Sequence, residues 1–280
     1  MKTLITRTLT GIAFVVLVVA AVLGSEWFLV NVFLFFTCLA MYEYRTLLKQ
    51  NNIKLSVAFY IIGLLVYFIV SSASSWIFML PYAPLWTVVI LLLSVFVLFF
   101  TLFIVGLFSK QEQPFQSISY AVLGILWIVI PFALVNFVPM LRGVSGKFLL
   151  LSVFIFIWLY DTFAYCVGML IGKHRLFERI SPKKSWEGAI GSTLLTLTAA
   201  YFANLLFPIV PLTPFQWMGL ALIIIVFGTL GDLVESLFKR QLSVKDSGAI
   251  LPGHGGILDR FDSLLLAMPF VLLYLSIILR

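Results

Sequence analysis

Hydrophobic residues in this chain come in long unbroken runs and do not alternate with polar ones. Nine such runs are centred near residues 16, 34, 63, 94, 128, 158, 197, 223 and 270. Each approaches or exceeds the roughly 20 residues that cross a bilayer at about 1.5 Å rise per residue. Barrel strands would alternate apolar and polar positions, and open β-structure would leave backbone groups unsatisfied in lipid, so the runs are predicted to be helices. The expected fold is all-α, a polytopic integral membrane protein of about nine transmembrane helices. The first run follows Lys2 and Arg7, as a signal peptide would. Its apolar stretch from Leu9 to Leu23 is long, however, and Glu26-Trp27 leads straight into the next span, which predicts an uncleaved first helix.

Composition places the chain in the same class. Of its 280 residues 62% are hydrophobic and only 10% charged, with mean hydropathy +1.15, outside the range of soluble domains. Cys38 and Cys166 both lie inside apolar runs, which argues against a disulfide framework or a cysteine metal site. With a cytoplasmic N-terminus, the inside segments collect 15 of the 18 Lys and Arg residues, leaving only Arg142, Lys147 and Arg280 outside. That bias predicts an odd number of spans, a C-terminus outside, and a multi-pass protein of the cytoplasmic (inner) membrane whose charged segments face the cytoplasm. The net charge of +7 then reads as a basic rim for anionic headgroups and implies no nucleic-acid partner.

The chain divides by chemistry into residues 1–147, about five spans with few ionisable groups, and residues 148–280, about four spans with a cytoplasmic site. In the first part Glu43 and Arg45 stand out in "MYEYR", at the cytoplasmic edge of the second helix, where a structural pairing is expected. In the second part Asp161 interrupts "FIFIWLYDTFAYCVGMLIG", where an unpaired carboxylate is costly. A hydrogen bond to a neighbouring tyrosine or helix would satisfy it structurally, but the dense charge of the following loop favours a place in a site. That loop, residues 172–188, carries Lys173, His174, Arg175, Arg179, Lys183 and Lys184. Ser181-Pro182 reads as a helix N-cap with proline at N1, which would set Lys183 and Lys184 against the helix dipole and leave room for an anion.

The densest chemistry lies in the stretch from Ser236 to Asp262, between the last two runs. Asp232, Glu235, Ser236, Lys239 and Arg240 fall at i, i+3, i+4, i+7 and i+8 of one helix, so they form a stripe from carboxylate to cations. Asp232 directly follows "VFGTLG", where a carboxylate needs a partner or a metal. Lys245 and Asp246 come next, then Gly253, Gly255 and Gly256, which permit positive φ and close backbone approach to a phosphate. Asp259 and Asp262 project to one side of the first turn of the last helix. Two carboxylates there, with Asp232 on a neighbouring helix, suit a hard cation such as Mg²⁺ that keeps positions for water and phosphate oxygens. Carboxylates, cations and a glycine loop, with no nucleophilic triad, point to phosphoryl or nucleotidyl transfer, and the apolar setting points to a lipid substrate.

The pattern S-x-x-K-R-x4-K-D-x-G-x3-P-G-H-G-G-x2-D-R-x-D from Ser236 to Asp262 closely resembles the signature of the phosphatidate cytidylyltransferases. "SPKKSWEG" and Gly231-Asp232 are also similar to that family's sequence, so the resemblance covers residues 158–263; the first half matches only in hydropathy and number of spans. It implies a Mg²⁺-dependent reaction of CTP with phosphatidate that yields CDP-diacylglycerol and pyrophosphate, the nucleotide-activation step of phospholipid synthesis. It further implies that Asp232 and Asp259 hold one or two cations, with Asp262 a further ligand or support. Lys239, Arg240 and Lys245 would neutralise phosphates, Arg260 would clamp one, and Ser181, Lys183 and Lys184 would close the site. Ser236, Gly253, His254, Gly255 and Gly256 are expected to bind substrate, while Asp246 and His254 could equally orient the loop. The resemblance suggests a homodimer. A CTP-dependent lipid kinase of the polyprenol or phytol type is the nearest alternative, and an anion transporter a more distant one.

Overall fold

The computed structural model describes residues 2–79, 85–142, 144–253 and 255–279. Seven helical stretches among them are long and apolar enough to cross a membrane: Thr6–Leu23, Glu26–Gln50, Val89–Leu107, Pro114–Leu141, Ser145–Ile171, Pro214–Gln241 and Leu258–Ile278. The other two apolar runs appear as the shorter stretch Val57–Ala73 and a helix of 16 residues, Trp186–Tyr201. The protein is an all-α polytopic membrane protein, and its chain folds into two compact units. One comprises Met1–Met140 with Asp246–Leu258, the other Leu141–Lys245 with Asp259–Arg280.

The first unit contains α1 (Lys2–Leu23), α2 (Glu26–Gln50), α3 (Val57–Met79) and α4 (Leu85–Leu107). An irregular span follows: α5 (Pro114–Gly124), a π turn at Ile125–Val129, α6 (Ile130–Leu134), a 3₁₀ turn at Val135–Phe137 and α7 (Val138–Arg142). Pro131 and Pro139 account for the irregularity, because neither has an N–H to return to the preceding turn and the helix widens or tightens around each. Ser25 caps α2 by accepting from the Phe28 N–H at 3.2 Å. At the other end Asn52 takes the left-handed conformation, φ 62°, that asparagine tolerates. Lipid gives helices little hydrophobic reason to associate, so polar ties carry much of the specificity. Tyr67 donates to the Val30 carbonyl at 2.7 Å, Tyr44 to the Tyr120 carbonyl at 2.9 Å, and Asn136 Nδ2 to Ser71 Oγ at 2.9 Å.

The second unit starts with α8 (Val144–Ile171), which leads through a hairpin of β1 (Arg175–Phe177) and β2 (Ser181–Ser185) into α9 (Trp186–Tyr201). The helices approach closely because glycines face each other. A Cβ on Gly188 would stand 3.2 Å from Gly168 Cα, and one on Gly191 would stand 2.6 Å from Val167 Cγ1. The short α10 (Ala203–Leu206) precedes α11 (Pro214–Gln241), whose start is set by a capping box between Thr213 and Gln216 with Pro214 at N1. The last helix, α12 (Leu258–Ile278), packs on α11 through a parallel ring stack of Phe227 and Phe270, 3.5 Å between centroids, and a hydrogen bond from Tyr274 to the Gln216 carbonyl at 2.8 Å.

The expectation that Ser181 caps a helix is corrected here. Residues 181–185 are extended, and the cap is Ser185, with φ −121° and ψ 154°, whose hydroxyl accepts from the Gly188 N–H at 3.2 Å. Ser185 wins because Glu187 then falls in the first turn, where a carboxylate suits the dipole. Pro182 costs little in a short hairpin strand that has only one partner. Lys183 and Lys184 therefore precede the helix and do not oppose its dipole.

A close approach between two helices of this unit lies where α11 meets the start of α12. A Cβ on Gly231 would collide with the Asp262 carbonyl and sit 3.1 Å from Leu266 Cβ, whereas one on Gly228 would meet only Ser263 at an ordinary 3.5 Å. Gly231→Ala is accordingly expected to cost about 1 to 3 kcal/mol, seen as a lower thermal midpoint in detergent, while Gly228→Ala stays close to wild type.

Candidate active site

Gly231 lets α12 come close enough to α11 for their ionised side chains to meet. Two turns beyond it, Lys239 Nζ is shared between two carboxylates, 2.7 Å from Glu235 Oε2 and 2.6 Å from Asp259 Oδ1. Lys239 is 13% exposed and Glu235 only 1%, so both charges have left water. Such a pair persists only where geometry and further hydrogen bonds offset desolvation. Glu235 is not fully served: its Oε1 has no hydrogen-bond partner among the described residues. An orphaned buried carboxylate oxygen is costly and marks a place for a proton or a cation.

Asp232, a turn earlier on α11, forms an ion pair with Lys184 of β2 and accepts from Ser236 Oγ at 3.2 Å. These groups open onto a cavity of about 290 Å³ lined by Asp161, Lys183, Lys184, Ser185, Thr229 and Asp232 with apolar neighbours that include Ala164 and Leu176. Thr229 donates to Tyr160 Oη at 3.0 Å and so ties α11 to α8 beside the cavity. Asp161 lines this cavity, with Lys184, Asp232 and Arg260 as its charged neighbours. Asp262, whose Oδ1 accepts from the Ser263 N–H at 2.6 Å, interacts electrostatically with Asp161, Asp232 and Lys184. Among the described residues of this cluster, the carboxylates of Asp161, Asp232, Glu235, Asp259 and Asp262 stand near the cations Lys184, Lys239 and Arg260, which they outnumber.

The hairpin that carries Lys183 and Lys184 is anchored at both ends. Arg240 Nε donates to the Ile180 carbonyl at 3.4 Å. Glu187 accepts from the Lys173 and His174 N–H groups and lies 2.5 Å from His174 Nδ1. Those hydrogen bonds, the one from His174 first, hold the Glu187 carboxyl at about 2, so the anchor stays ionised through the physiological range.

The sequence-derived site residues fall into two groups. Asp232, Ser236, Lys239, Arg240, Asp259, Asp262, Lys183, Lys184 and Arg260 belong to the second unit, together with Ser181 and Lys245. Asp246, Gly253, Gly255 and Gly256 belong to the first, in a loop closed by a bridge between Leu251 and Gly255. Gly253 and Gly255 have φ of 78° and 84°, as expected, whereas Gly256 is needed for space. His254 and Arg280 lie outside the described residues. The loop rests on α1, where Thr10 Oγ1 donates to the Pro252 carbonyl at 3.2 Å and a Cβ on Gly253 would meet Arg7 Cγ at 2.8 Å. It also encloses Glu43 of α2, for which the sequence predicts a structural pairing with Arg45 or with a neighbouring helix; the partners are the Ile257 and Leu258 N–H groups at the start of α12. Arg45 instead lies over the Tyr60 ring, 5.3 Å from its centroid. No local pattern could have linked Glu43 to a loop some 200 residues away.

Three or more Asp, Glu, His or Cys side chains do not gather at metal-ligand spacing among the described residues. The oxygen-only donor set, the excess of carboxylates and the orphaned Glu235 oxygen nevertheless fit Mg²⁺, which binds through one or two carboxylates and takes remaining ligands from water and substrate phosphates.

Comparison with known proteins adds an independent line. Residues 5–278 match the cytidylyltransferase family. The chain is 36% identical over 271 residues to the phosphatidate cytidylyltransferase of Staphylococcus aureus strain COL, covering 95% of this chain and 96% of that protein. Its identity to the Staphylococcus saprophyticus protein of the same name is 35% over 268 residues, at the same coverage of both chains, and to that of Staphylococcus epidermidis 36% over 273 residues. The match extends through the N-terminal helices as well as the motif, and the chain belongs to the cytidylyltransferase family.

Proposed function

We propose that this protein is a phosphatidate cytidylyltransferase: it joins CTP and phosphatidate into CDP-diacylglycerol and releases pyrophosphate. The observation that carries the reading is a cation-and-carboxylate cavity, Lys183 and Lys184 with Asp161 and Asp232, sunk among apolar helices in a full-length match to proteins of that name. A phosphatidate phosphate oxygen attacks the α-phosphorus of CTP, the new P–O bond forms as the bond to the β-phosphate oxygen breaks, and no covalent enzyme intermediate is needed. Such chemistry is accelerated by positioning and charge neutralisation. A cavity of about 290 Å³ lies at the lower end of small-molecule sites, roughly 300 Å³ upward, which suits one phosphate-bearing part of a substrate.

Lys184 neutralises a substrate phosphate there and is itself oriented by Asp232. Lys239, clamped between Glu235 and Asp259, holds the Asp259 side chain in place. Lys245 and Arg260, both exposed, are suited to the triphosphate. One or two of Asp232, Asp259 and Asp262 would hold Mg²⁺, which would supply charge neutralisation at the substrate phosphates. The distribution of Lys and Arg favours an N-terminus and an active site facing the cytoplasm of the inner membrane, where CTP is available.

Incubating the detergent-purified protein with α-³²P-CTP, phosphatidate and Mg²⁺ should move label into the lipid phase, dependent on phosphatidate and abolished by EDTA. Lipid labelled from γ-³²P-CTP, and not from the α position, would instead establish a lipid kinase. Lys239→Ala should lose at least 100-fold in turnover and about 3 kcal/mol of stability, because it strands Glu235 in the interior. The double variant Glu235→Gln/Lys239→Met should regain much of the stability without the turnover. Unchanged kinetics in Lys239→Ala with both substrates would make the lysine a topological charge only.

A further inference from the structure

We propose that Glu43 is a positioning residue for cytidylyl transfer, a carboxylate on α2 around which the glycine loop of the motif is wrapped. The inference rests on the reading of that loop and of Asp259 as parts of the active site. Glu43 is 2% exposed, inside an apolar helix. Its two oxygens accept from successive backbone donors, Oε1 from Ile257 at 2.9 Å and Oε2 from Leu258 at 3.0 Å. The Ser247 hydroxyl stands 3.5 Å from Oε2, so both ends of the loop meet the same carboxylate.

The loop is shaped to admit it. A Cβ on Gly248 would lie 2.6 Å from Glu43 Oε1, and one on Gly256 would lie 2.6 Å from Oε2. Both glycines of the motif are therefore contact surfaces for a protein carboxylate, and any side chain at either would push it aside. Leu258 opens α12, so its N–H and that of Ile257 belong to the orphan donors at a helix start, where a carboxylate is also favoured by the dipole. Ile257 and Leu258 are 1% exposed, which leaves those donors no water to turn to. Asp259 and Arg260 follow Leu258 directly in the chain, so fixing the Leu258 backbone fixes the point from which both side chains set out.

A carboxylate is specifically required because it presents two acceptors and no donor. An amide of the same shape turns an NH₂ towards one of the two N–H groups, and an aspartate keeps both acceptors but falls one methylene short. Glu43→Gln is expected to lower kcat tenfold or more, with a melting temperature near wild type and faster hydrogen exchange confined to residues 247–258. Glu43→Asp should lie between the two. Gly248→Ala, which displaces the same carboxylate from the loop side, should reproduce the kinetic defect, and the double variant should fall less than about twofold below Glu43→Gln, because neighbours that act through one contact are not additive. Should Glu43→Gln not fold, Gly248→Ala carries the test alone. Wild-type kinetics in a folded variant whose loop exchange has risen would overturn the inference and leave the assigned reaction standing. A wild-type protein that transfers no cytidylyl group would overturn the assigned reaction, and this inference with it.

Discussion

A charge inside an apolar helix must find its counter-charge within the protein, and the second unit is built around that constraint. Lys239 and Glu235 sit a turn apart on α11 and could have satisfied each other alone. Sharing the ammonium with Asp259 makes the first turn of α12 part of the same pairing, and Gly231 removes the side chain that would keep the helices apart. Lys184 does the same for Asp232 from the hairpin, so β2, α11 and α12 are tied together by ion pairs where lipid provides little hydrophobic drive. These contacts also leave carboxylates in excess, an arrangement that is poor for stability alone and suitable for gathering cations and phosphates.

The sequence was informative where chemistry is periodic or strictly local. Continuous apolar runs gave the membrane class, the i, i+3, i+4 spacing put Glu235 and Lys239 on one face, and the fixed pattern from Ser236 to Asp262 pointed to the family that the full-length comparison established. Ser181 misled because two serines, at 181 and 185, compete as caps, and the choice depends on a hairpin pairing that leaves no periodic trace in five residues. Asp161 was visible as an anomaly, but its neighbours Lys184 and Asp232 come from other elements.

Glu43 shows the limit most clearly. On a helix of bulky apolar residues it looks like an interfacial charge, and its partner Ile257 is 214 residues away. The glycines at 248 and 256 read naturally as room for a phosphate, since nothing local says that the room is taken by a carboxylate of the protein itself. The N-terminal helices, which carry little recognisable chemistry, thus support the loop that carries the most, with α1 contributing Arg7 and Thr10 and α2 contributing Glu43.

The central claim is that the surplus of carboxylates on α8, α11 and α12 exists to hold a divalent cation together with substrate phosphate. Titration of the purified protein with Mn²⁺, read by the loss of the free-ion EPR signal with CTP present and absent, addresses it directly. Saturable binding that CTP tightens and that Asp232→Asn or Asp262→Asn weakens at least tenfold is the result this account predicts. Equal Mn²⁺ affinity in wild type and both variants would contradict it, and would leave those carboxylates as partners for lysines alone.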